Sequence, residues 1–243
     1  MLHNYPEFYK RINNKDSMYF SIVYDLFIKN LNSVCELDFN NYDSVETFEE
    51  KLINDYHIII VFSAMTLEAF INDYLAVCLT DDFYYANFDK LTIMQKIETL
   101  YSIVWKDTLD KSGELYNRIQ DLLKERNLFV HSKSRELDDS IIKSASDDVD
   151  EITAEELRMQ LLNSSLEQII LLLQESFSAI KAIFLFCKTV DVHDKNRKAV
   201  LLTMSCITKR EILDPRQELN YINKSMNKIE NLINKLKKSF KGV

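Results

Sequence analysis

The stretch that decides the fold is residues 58–71, which read IIIVFSAMTLEAFI. In a helix built from this segment, apolar side chains would cover nearly the whole circumference. Such a helix belongs in the middle of a bundle, because only neighbouring helices can cover all of its faces. Ser44 is suited to cap its N-terminus. We therefore expect one long central helix from about Ser44 to Leu79.

Helical periodicity extends to both sides of this central segment. The 243 residues include only two glycines and two prolines, which is less turn punctuation than a β architecture needs. The sequence therefore predicts an all-α fold, an up-and-down helical bundle with extra N- and C-terminal helices. Besides the central helix, the expected helices cover residues 7–31, 91–104 (with Asp89 as a cap), 112–131, 153–189 and 214–243.

Two of these helices begin with recognisable capping signals. Thr153-Ala154-Glu155-Glu156 is a capping box, in which two side chains each bind the other residue's backbone N–H. Asp214-Pro215-Arg216-Gln217 combines an Asp cap with Pro in the first turn. The helix that follows carries apolar residues at three- and four-residue spacing from Leu219 to Phe240, a seam of three heptads. This seam either packs on the bundle or pairs with another helix.

The charge of the chain is acidic and unevenly distributed. A formal net charge of −8 argues against nonspecific wrapping of nucleic acid, which needs a basic surface. Residues 136–156 hold nine acidic side chains and one lysine, which predicts a solvated acidic loop at 136–152. Residues 216–243 hold seven Lys and Arg against two Glu. They form either a charged outer helix face or a weak patch that steers RNA or a partner.

The cysteines and the most hydrophobic stretch bear on the cellular compartment. Residues 169–190 contain Gln174, Glu175 and Lys181, which would be costly in lipid, so we expect a buried helix there and no membrane span. The chain does not open with a secretory signal pattern, and no cysteine belongs to a C-x-x-C pair. We expect a cytoplasmic protein with buried thiols and neither metal nor cofactor. The four cysteines are Cys35, Cys78, Cys187 and Cys206.

The candidate chemistry lies in residues 126–131, RNLFVH, at the end of a predicted helix. A histidine with a pKa near neutrality suits proton transfer. The arginine guanidinium stays charged and binds two phosphate oxygens at once. Because RNA carries its own nucleophile, the 2′-hydroxyl, Arg126 and His131 are the minimum equipment for cutting RNA without a metal. The alternative is a helix-end histidine and a surface arginine that have no role.

Helical spacing adds a prediction about assembly. Asn127 and His131 are four residues apart and share a helix face, so the Asn amide could orient the imidazole or bind phosphate. Arg126 projects about 140° away from His131 by the helical period. One chain therefore presents the pair awkwardly, whereas two motifs facing each other across a groove solve the geometry. We expect a homodimer on this ground.

Glu68 interrupts the apolar central helix. A lone carboxylate there is costly unless it is paired. Either a Lys or Arg partner satisfies it structurally, or the carboxylate lies beside an active site.

Residues 62–74, FSAMTLEAFINDY, are followed about fifty residues later by RNLFVH. This combination resembles the HEPN superfamily, in particular the prokaryotic branch whose central helix reads like "LEAFIN". Members are bundles of four or five helices, many of them are metal-independent ribonucleases, and they share an R-x4-6-H pattern. The resemblance implies that Arg126 and His131 are catalytic, that Asn127 supports them, and that Glu68 is an auxiliary candidate.

The resemblance also implies an assembly and a biological role. The family's active site is generally composite, formed where two HEPN domains meet, and many members are toxins in toxin–antitoxin or abortive-infection defence. The implied substrate is RNA, and an antitoxin or companion protein is an implied partner. The resemblance covers residues 44–190. We therefore divide the chain into a HEPN-like domain at 1–213 and a heptad-patterned helix at 214–243.

Two other functions remain open. In the first, the chain is a non-catalytic helical interaction or regulatory subunit of a defence complex, and the Leu219–Phe240 seam binds a partner. In the second, it is a nucleotide-binding regulator that uses Arg126 only to hold phosphate. The absence of a Gly-rich phosphate loop counts against the second.

Overall fold

The computed structural model describes residues 15–130, 153–193 and 215–240. Within these ranges the chain forms seven α-helices and one π-helical segment and contains no strand, which confirms the all-α prediction. The elements are α1 (Lys15–Cys35), α2 (Tyr42–Leu79), α3 (Asp81–Asn87), α4 (Ile93–Thr99), the π segment (Leu100–Trp105), α5 (Glu114–Val130), α6 (Ala154–His193) and α7 (Pro215–Phe240).

Helix α2 is the centre of the bundle. It contacts α1, α3, α4, α5 and α6, and its side chains Leu67, Phe70 and Ile71 are almost completely buried. Phe70 packs edge-on against Phe186 of α6, with ring centroids 5.7 Å apart. These contacts cover most of the apolar segment. Ile58 and Met65, seven residues apart on one face, stay 40% and 37% exposed, so the expected complete coverage is only partly met.

The ends of α2 differ from the prediction. The helix begins at Tyr42, and Asn41 is its N-cap, with its side-chain oxygen accepting a hydrogen bond from the Ser44 backbone N–H. The prediction of Ser44 as the cap was therefore wrong, because an equally suitable capping residue lies three positions earlier. The helix ends at Leu79 as expected, and Thr80 has a positive φ of 73°. The short helix α3 follows at once and was not predicted.

The helix predicted over residues 91–104 is divided. Helix α4 begins after Thr92, which forms a capping box with Gln95, so the expected cap at Asp89 was wrong. From Leu100 the chain widens into the π segment, in which Tyr101 and Trp105 pack edge-on with centroids 4.8 Å apart. The Asp107 N–H donates to the Tyr101 carbonyl at 2.9 Å, at the end of this segment.

Helix α6 is the second core helix. Its predicted capping box is confirmed, since the Thr153 N–H donates to Glu156 and the Glu156 N–H donates to Thr153. By length and composition, α2 and the Glu155–Val190 part of α6 could each cross a membrane. However, 56% and 67% of their most apolar windows are buried inside the bundle. That burial fits helices that pack against other helices of the same chain.

Helix α7 packs on α6. Its side chains Ile229, Ile233 and Leu236 are buried, and Lys181 of α6 lies 3.7 Å from the Glu230 carboxylate. Over this part of the helix the apolar seam therefore packs within the chain. Its exposed lysines are Lys224, Lys228, Lys235, Lys237 and Lys238.

The cysteines only partly follow the expectation of buried thiols. None of the three that the structure describes forms a disulfide. Cys187 is buried and Cys78 is half-buried, but Cys35 is exposed because it is the last residue of α1. Cys206, the expected helix at residues 7–14 and the acidic loop at 136–152 lie outside the described residues.

Candidate functional site

Helix α5 carries the first half of the Arg/His motif, and its rotation about its own axis is fixed by three side chains. Ile119 and Leu122 are buried in the core. Arg118 binds Glu114 through Nε at 2.8 Å and donates from Nη1 to the Ser178 hydroxyl of α6 at 2.7 Å. These contacts hold α5 against α2 and α6, so the position of Arg126 two turns later follows from the core.

Phe129, which lies inside the motif, anchors the C-terminal end of α5 on α2. Its ring packs edge-on against Tyr56 at a centroid distance of 5.7 Å and lies 4.2 Å from the His57 ring. Neither Tyr56 nor His57 was predicted from the sequence. They precede the fully apolar part of α2, and nothing in the local pattern links them to a segment seventy residues away.

Arg126 is half-buried, and its Nε atom is buried without a hydrogen-bond partner among the residues that the structure describes. A buried donor left without an acceptor costs about 1–3 kcal/mol, and more when it belongs to a charged group. A phosphate oxygen is a suitable acceptor for such a donor. Of the motif residues described, Arg126 is therefore the one whose environment is best suited to an anion.

The remaining motif residues face solvent or lie outside the described chain. Asn127 is exposed, and the apolar side chains of Leu128 and Val130 are 49% and 52% exposed. His131 is the residue after the end of α5 and lies outside the described residues. The predicted juxtaposition of His131 with Arg126 and Asn127 therefore stays a prediction.

Glu68 lies away from this cluster. It follows His57 by eleven residues along α2, which corresponds to about 16 Å of helix. Its charge acts instead on Lys96 of α4, which is 2% exposed and donates from Nζ to the Asn72 side chain and the Asp89 carbonyl, each at 2.9 Å. Burial lowers the pKa of Lys96, and the Glu68 carboxylate acts in the opposite direction. No ion pair joins Glu68 and Lys96 among the described residues, so both alternatives for Glu68 stay predictions.

Tyr84 belongs to the same buried cluster and gives it a pH signature. Its hydroxyl donates to the Asn72 side-chain oxygen at 2.8 Å, and burial raises the pKa of Tyr84 to about 12. A raised folded-state pKa means that the stabilising contribution is fully present below pH 10 and is lost as the pH rises through 12. We expect Tyr84→Phe to cost about 1 kcal/mol at pH 7 through the lost hydrogen bond.

The same variant should lose less stability than the wild type between pH 10 and 12. Urea unfolding at pH 7, 10 and 11 measures both effects. If wild type and Tyr84→Phe lost equal free energy of unfolding between pH 7 and 11, the raised pKa would not belong to Tyr84. Tyr84→Phe should still lose some stability at alkaline pH, because burial also raises the pKa of Tyr56 and Tyr101.

A cavity of about 210 Å³ lies between α2, α5 and α6, and Glu125, the neighbour of Arg126, is one of its lining residues. Tyr56 and Glu175 also line it. Tyr56 is 4% exposed, and its buried hydroxyl has no hydrogen-bond partner of good geometry within the described ranges. Burial, followed by the nearby Glu175 carboxylate, raises the pKa of Tyr56. In the sequence Glu175 stands out only as a charge inside an apolar run.

A smaller cavity of about 140 Å³ lies between α5, α6 and α7 and is lined by ion-paired groups. Lys181 lies 3.4 Å from Glu114 and 3.7 Å from Glu230. These pairs join three helices, and a structural role accounts for them. His193, the last residue of α6, stacks on Trp105 with ring centroids 4.5 Å apart and ring planes 9° from parallel. Its Nε2 atom lies 3.7 Å from the Asp107 carboxylate.

The described part of the chain contains no group of three or more His, Cys, Asp or Glu side chains that could hold a metal ion. What it does bring together is an arginine donor without an acceptor and, beside it, a cavity. That cavity is lined by three carboxylates, two cationic side chains and the buried Tyr56 hydroxyl. Comparison with protein-family models, with curated proteins and with solved structures finds no match to this chain.

Proposed function

We propose that the protein is a metal-independent endoribonuclease of the HEPN type, acting as a toxin or effector in prokaryotic stress or anti-phage defence. The observation that carries the proposal is the buried Arg126 Nε, which has no acceptor among the residues that the structure describes. It belongs to a helix that ends next to His131. In an arginine with only a structural role, Nε would be expected to donate a hydrogen bond to a carbonyl or carboxylate of the protein. A substrate phosphate would supply the missing acceptor.

The proposed site is composite and forms between two copies of the chain. Val130 supports this, because it lies one helical turn after Arg126 on the same side of α5 and is 52% exposed. Exposed apolar side chains beside polar ones are common at protein interfaces. In the proposed dimer Val130 would pack across the interface, and two RNLFVH motifs would meet at one groove.

The proposed reaction uses only groups of the protein and the RNA. A histidine of the pair takes the proton from the 2′-hydroxyl, whose oxygen then forms a bond to the adjacent phosphorus. The bond from phosphorus to the 5′-oxygen breaks, and a protonated histidine donates a proton to that oxygen. Arg126 holds the phosphate oxygens, on which charge accumulates in the transition state. The products end in a 2′,3′-cyclic phosphate and a 5′-hydroxyl.

The non-catalytic interaction subunit is less well supported. It relied on the apolar seam of the last helix, and Ile229, Ile233 and Leu236 of that seam are covered by α6. Deletion of residues 214–243 would also uncover α6, so it is a poor test of partner binding. The basic outer face of α7 would be the surface left for this function.

The decisive test is cleavage of total RNA by the purified wild-type protein in the presence of EDTA. We expect fragments whose 3′ ends resist alkaline phosphatase until mild acid opens the cyclic phosphate. Fragments with 5′-phosphate ends that form only after Mg²⁺ is added would contradict the proposal, because that chemistry needs a water nucleophile and a metal.

A further inference from the structure

We propose that the cavity between α2, α5 and α6 binds a guanine base, and that this base belongs to the RNA that Arg126 holds by its phosphate. The second half of this statement rests on the proposed ribonuclease function. The first half concerns binding alone and is tested separately. Nothing in the RNLFVH motif itself would select a base, so the cavity would supply sequence preference to the site.

Two polar groups of the cavity, the Tyr56 hydroxyl and the Glu175 carboxylate, match one edge of guanine. That edge presents an acceptor, O6, followed by two donors, N1–H and N2–H. The Tyr56 hydroxyl can donate, and the Glu175 carboxylate accepts two hydrogen bonds side by side. Adenine and cytosine present the opposite order, with a donor where guanine has O6 and an acceptor at the next position. Guanine is therefore the base that satisfies all three positions.

The Tyr56 hydroxyl and the Glu175 carboxylate lie close together but satisfy each other poorly. Glu175 contributes to the raised pKa of Tyr56, yet the buried hydroxyl makes no hydrogen bond of good geometry in the described ranges. Arg118 and Lys124 line the same cavity, but among the described residues no Lys or Arg nitrogen lies within ion-pair distance of Glu175. A poorly aligned hydrogen bond is weak. A ligand with two donors and one acceptor would replace it with three well-aligned hydrogen bonds.

The remaining surface suits a single flat ring system. Ile60, Leu122 and Ala179 provide apolar wall, which can cover the faces of a base. A volume of about 210 Å³ lies below the range of about 300–1,000 Å³ that drug-sized ligands occupy. Single-stranded RNA is commonly recognised in this way, with an unstacked base read along its Watson–Crick edge.

The position of the cavity connects the base to the proposed chemistry. Glu125 lines the cavity and immediately precedes Arg126 in α5. Tyr56 lines it too, and its ring contacts Phe129 of the motif. A base held here would therefore lie within one helical turn of the arginine, a distance that one nucleotide spans.

Binding is tested by calorimetric titration of the full chain in EDTA with 5′-GMP, 5′-IMP and 5′-AMP, which carry the same phosphate and differ in the base edge. We expect 5′-IMP, which lacks the N2 amine, to bind about tenfold more weakly than 5′-GMP. We expect 5′-AMP to bind at least about a hundredfold more weakly, because donor and acceptor are reversed. Equal affinity for all three would overturn the proposal and indicate a phosphate site only.

Two variants assign the effect to the cavity. Glu175→Gln should weaken 5′-GMP binding by about a hundredfold, since a neutral amide replaces the double acceptor. Glu167→Gln on the exposed side of the same helix is the matched control and should bind like wild type. Tyr56→Phe should weaken binding by about tenfold and, because the lost hydroxyl makes no well-aligned hydrogen bond in the described ranges, should fold without loss of stability. Unchanged 5′-GMP affinity in Glu175→Gln and Tyr56→Phe would overturn the proposal.

Sequencing of cleavage sites separates this proposal from the proposed function. If both hold, wild type cuts beside guanine and Glu175→Gln cuts with little base preference. Selective 5′-GMP binding by a protein that cuts no RNA would support the base site and remove the ribonuclease. RNA cleavage by a protein that binds the three nucleotides equally would support the ribonuclease and overturn the base site.

Discussion

Replacing His131 with alanine is expected to lower RNA cleavage in EDTA by about 10²–10⁴-fold, the range typical for loss of a general acid–base group. In the proposed dimer both histidines change at once, so proton removal from the 2′-hydroxyl and proton donation to the 5′-oxygen are lost together. The loss should therefore lie at the upper end of that range. The proposed function predicts growth arrest when wild type is expressed in a bacterial host, and the variant should not cause it.

His193→Ala is the matched control for the loss of a histidine. Its ring stacks on Trp105 at the far end of α6 and takes no part in the proposed reaction. We expect cleavage within about twofold of wild type and a small loss of stability from the missing ring contact. Thermal unfolding of all three proteins shows whether each is folded. If a folded His131→Ala protein cleaved RNA as fast as wild type and had the same effect on growth, the proposed mechanism would be wrong.

Replacing Arg126 with methionine is expected to lower cleavage by about 10²–10³-fold without lowering stability, an outcome that separates a functional arginine from a structural one. A structural arginine loses partners when it is replaced, and the protein then unfolds more easily. Arg126 Nε has no partner to lose among the described residues. Methionine fills similar space with apolar atoms, so the free energy of unfolding should stay equal or rise by about 1 kcal/mol.

Arg126→Lys refines this prediction. Lysine keeps the positive charge but not the planar fork that binds two phosphate oxygens, so we expect cleavage between those of wild type and Arg126→Met. Arg158→Met, on the exposed first part of α6, controls for the loss of one surface charge. Cleavage rates and urea midpoints are measured on the same preparations. A large drop in stability for Arg126→Met would assign the residue to the core and contradict its role at the site.

The parts of the fold that follow from local pattern were predictable. The all-round apolar segment placed α2 in the middle, and the Thr153–Glu156 signal fixed the start of α6, since both depend on a few neighbouring residues. The points at which helices end or change their winding were less predictable from the sequence. Thr80 with its positive φ and the π segment after Thr99 depend on how the chain packs, and no residue type there demands those conformations.

The site was predictable only where it is a contiguous motif. Arg126 could be chosen from RNLFVH alone, but its missing hydrogen-bond partner is visible only once α2 and α6 pack around α5. Tyr56 and Glu175 lie more than a hundred residues apart in the chain and meet at one cavity. Sequence periodicity places each on a helix face, and it does not say which faces meet.

The central position of α2 also bears on how the native state opens. Helices α1, α3, α4, α5 and α6 all contact α2, so the loss of α2 removes packing from each of them. These six helices should exchange their amide hydrogens as one cooperative unit, at rates set by global unfolding. Helix α7 packs mainly on α6 and should form a separate unit that opens at lower free energy. The chain would then pass through partly open states in which its last helix detaches while the body that carries Arg126 keeps its native packing.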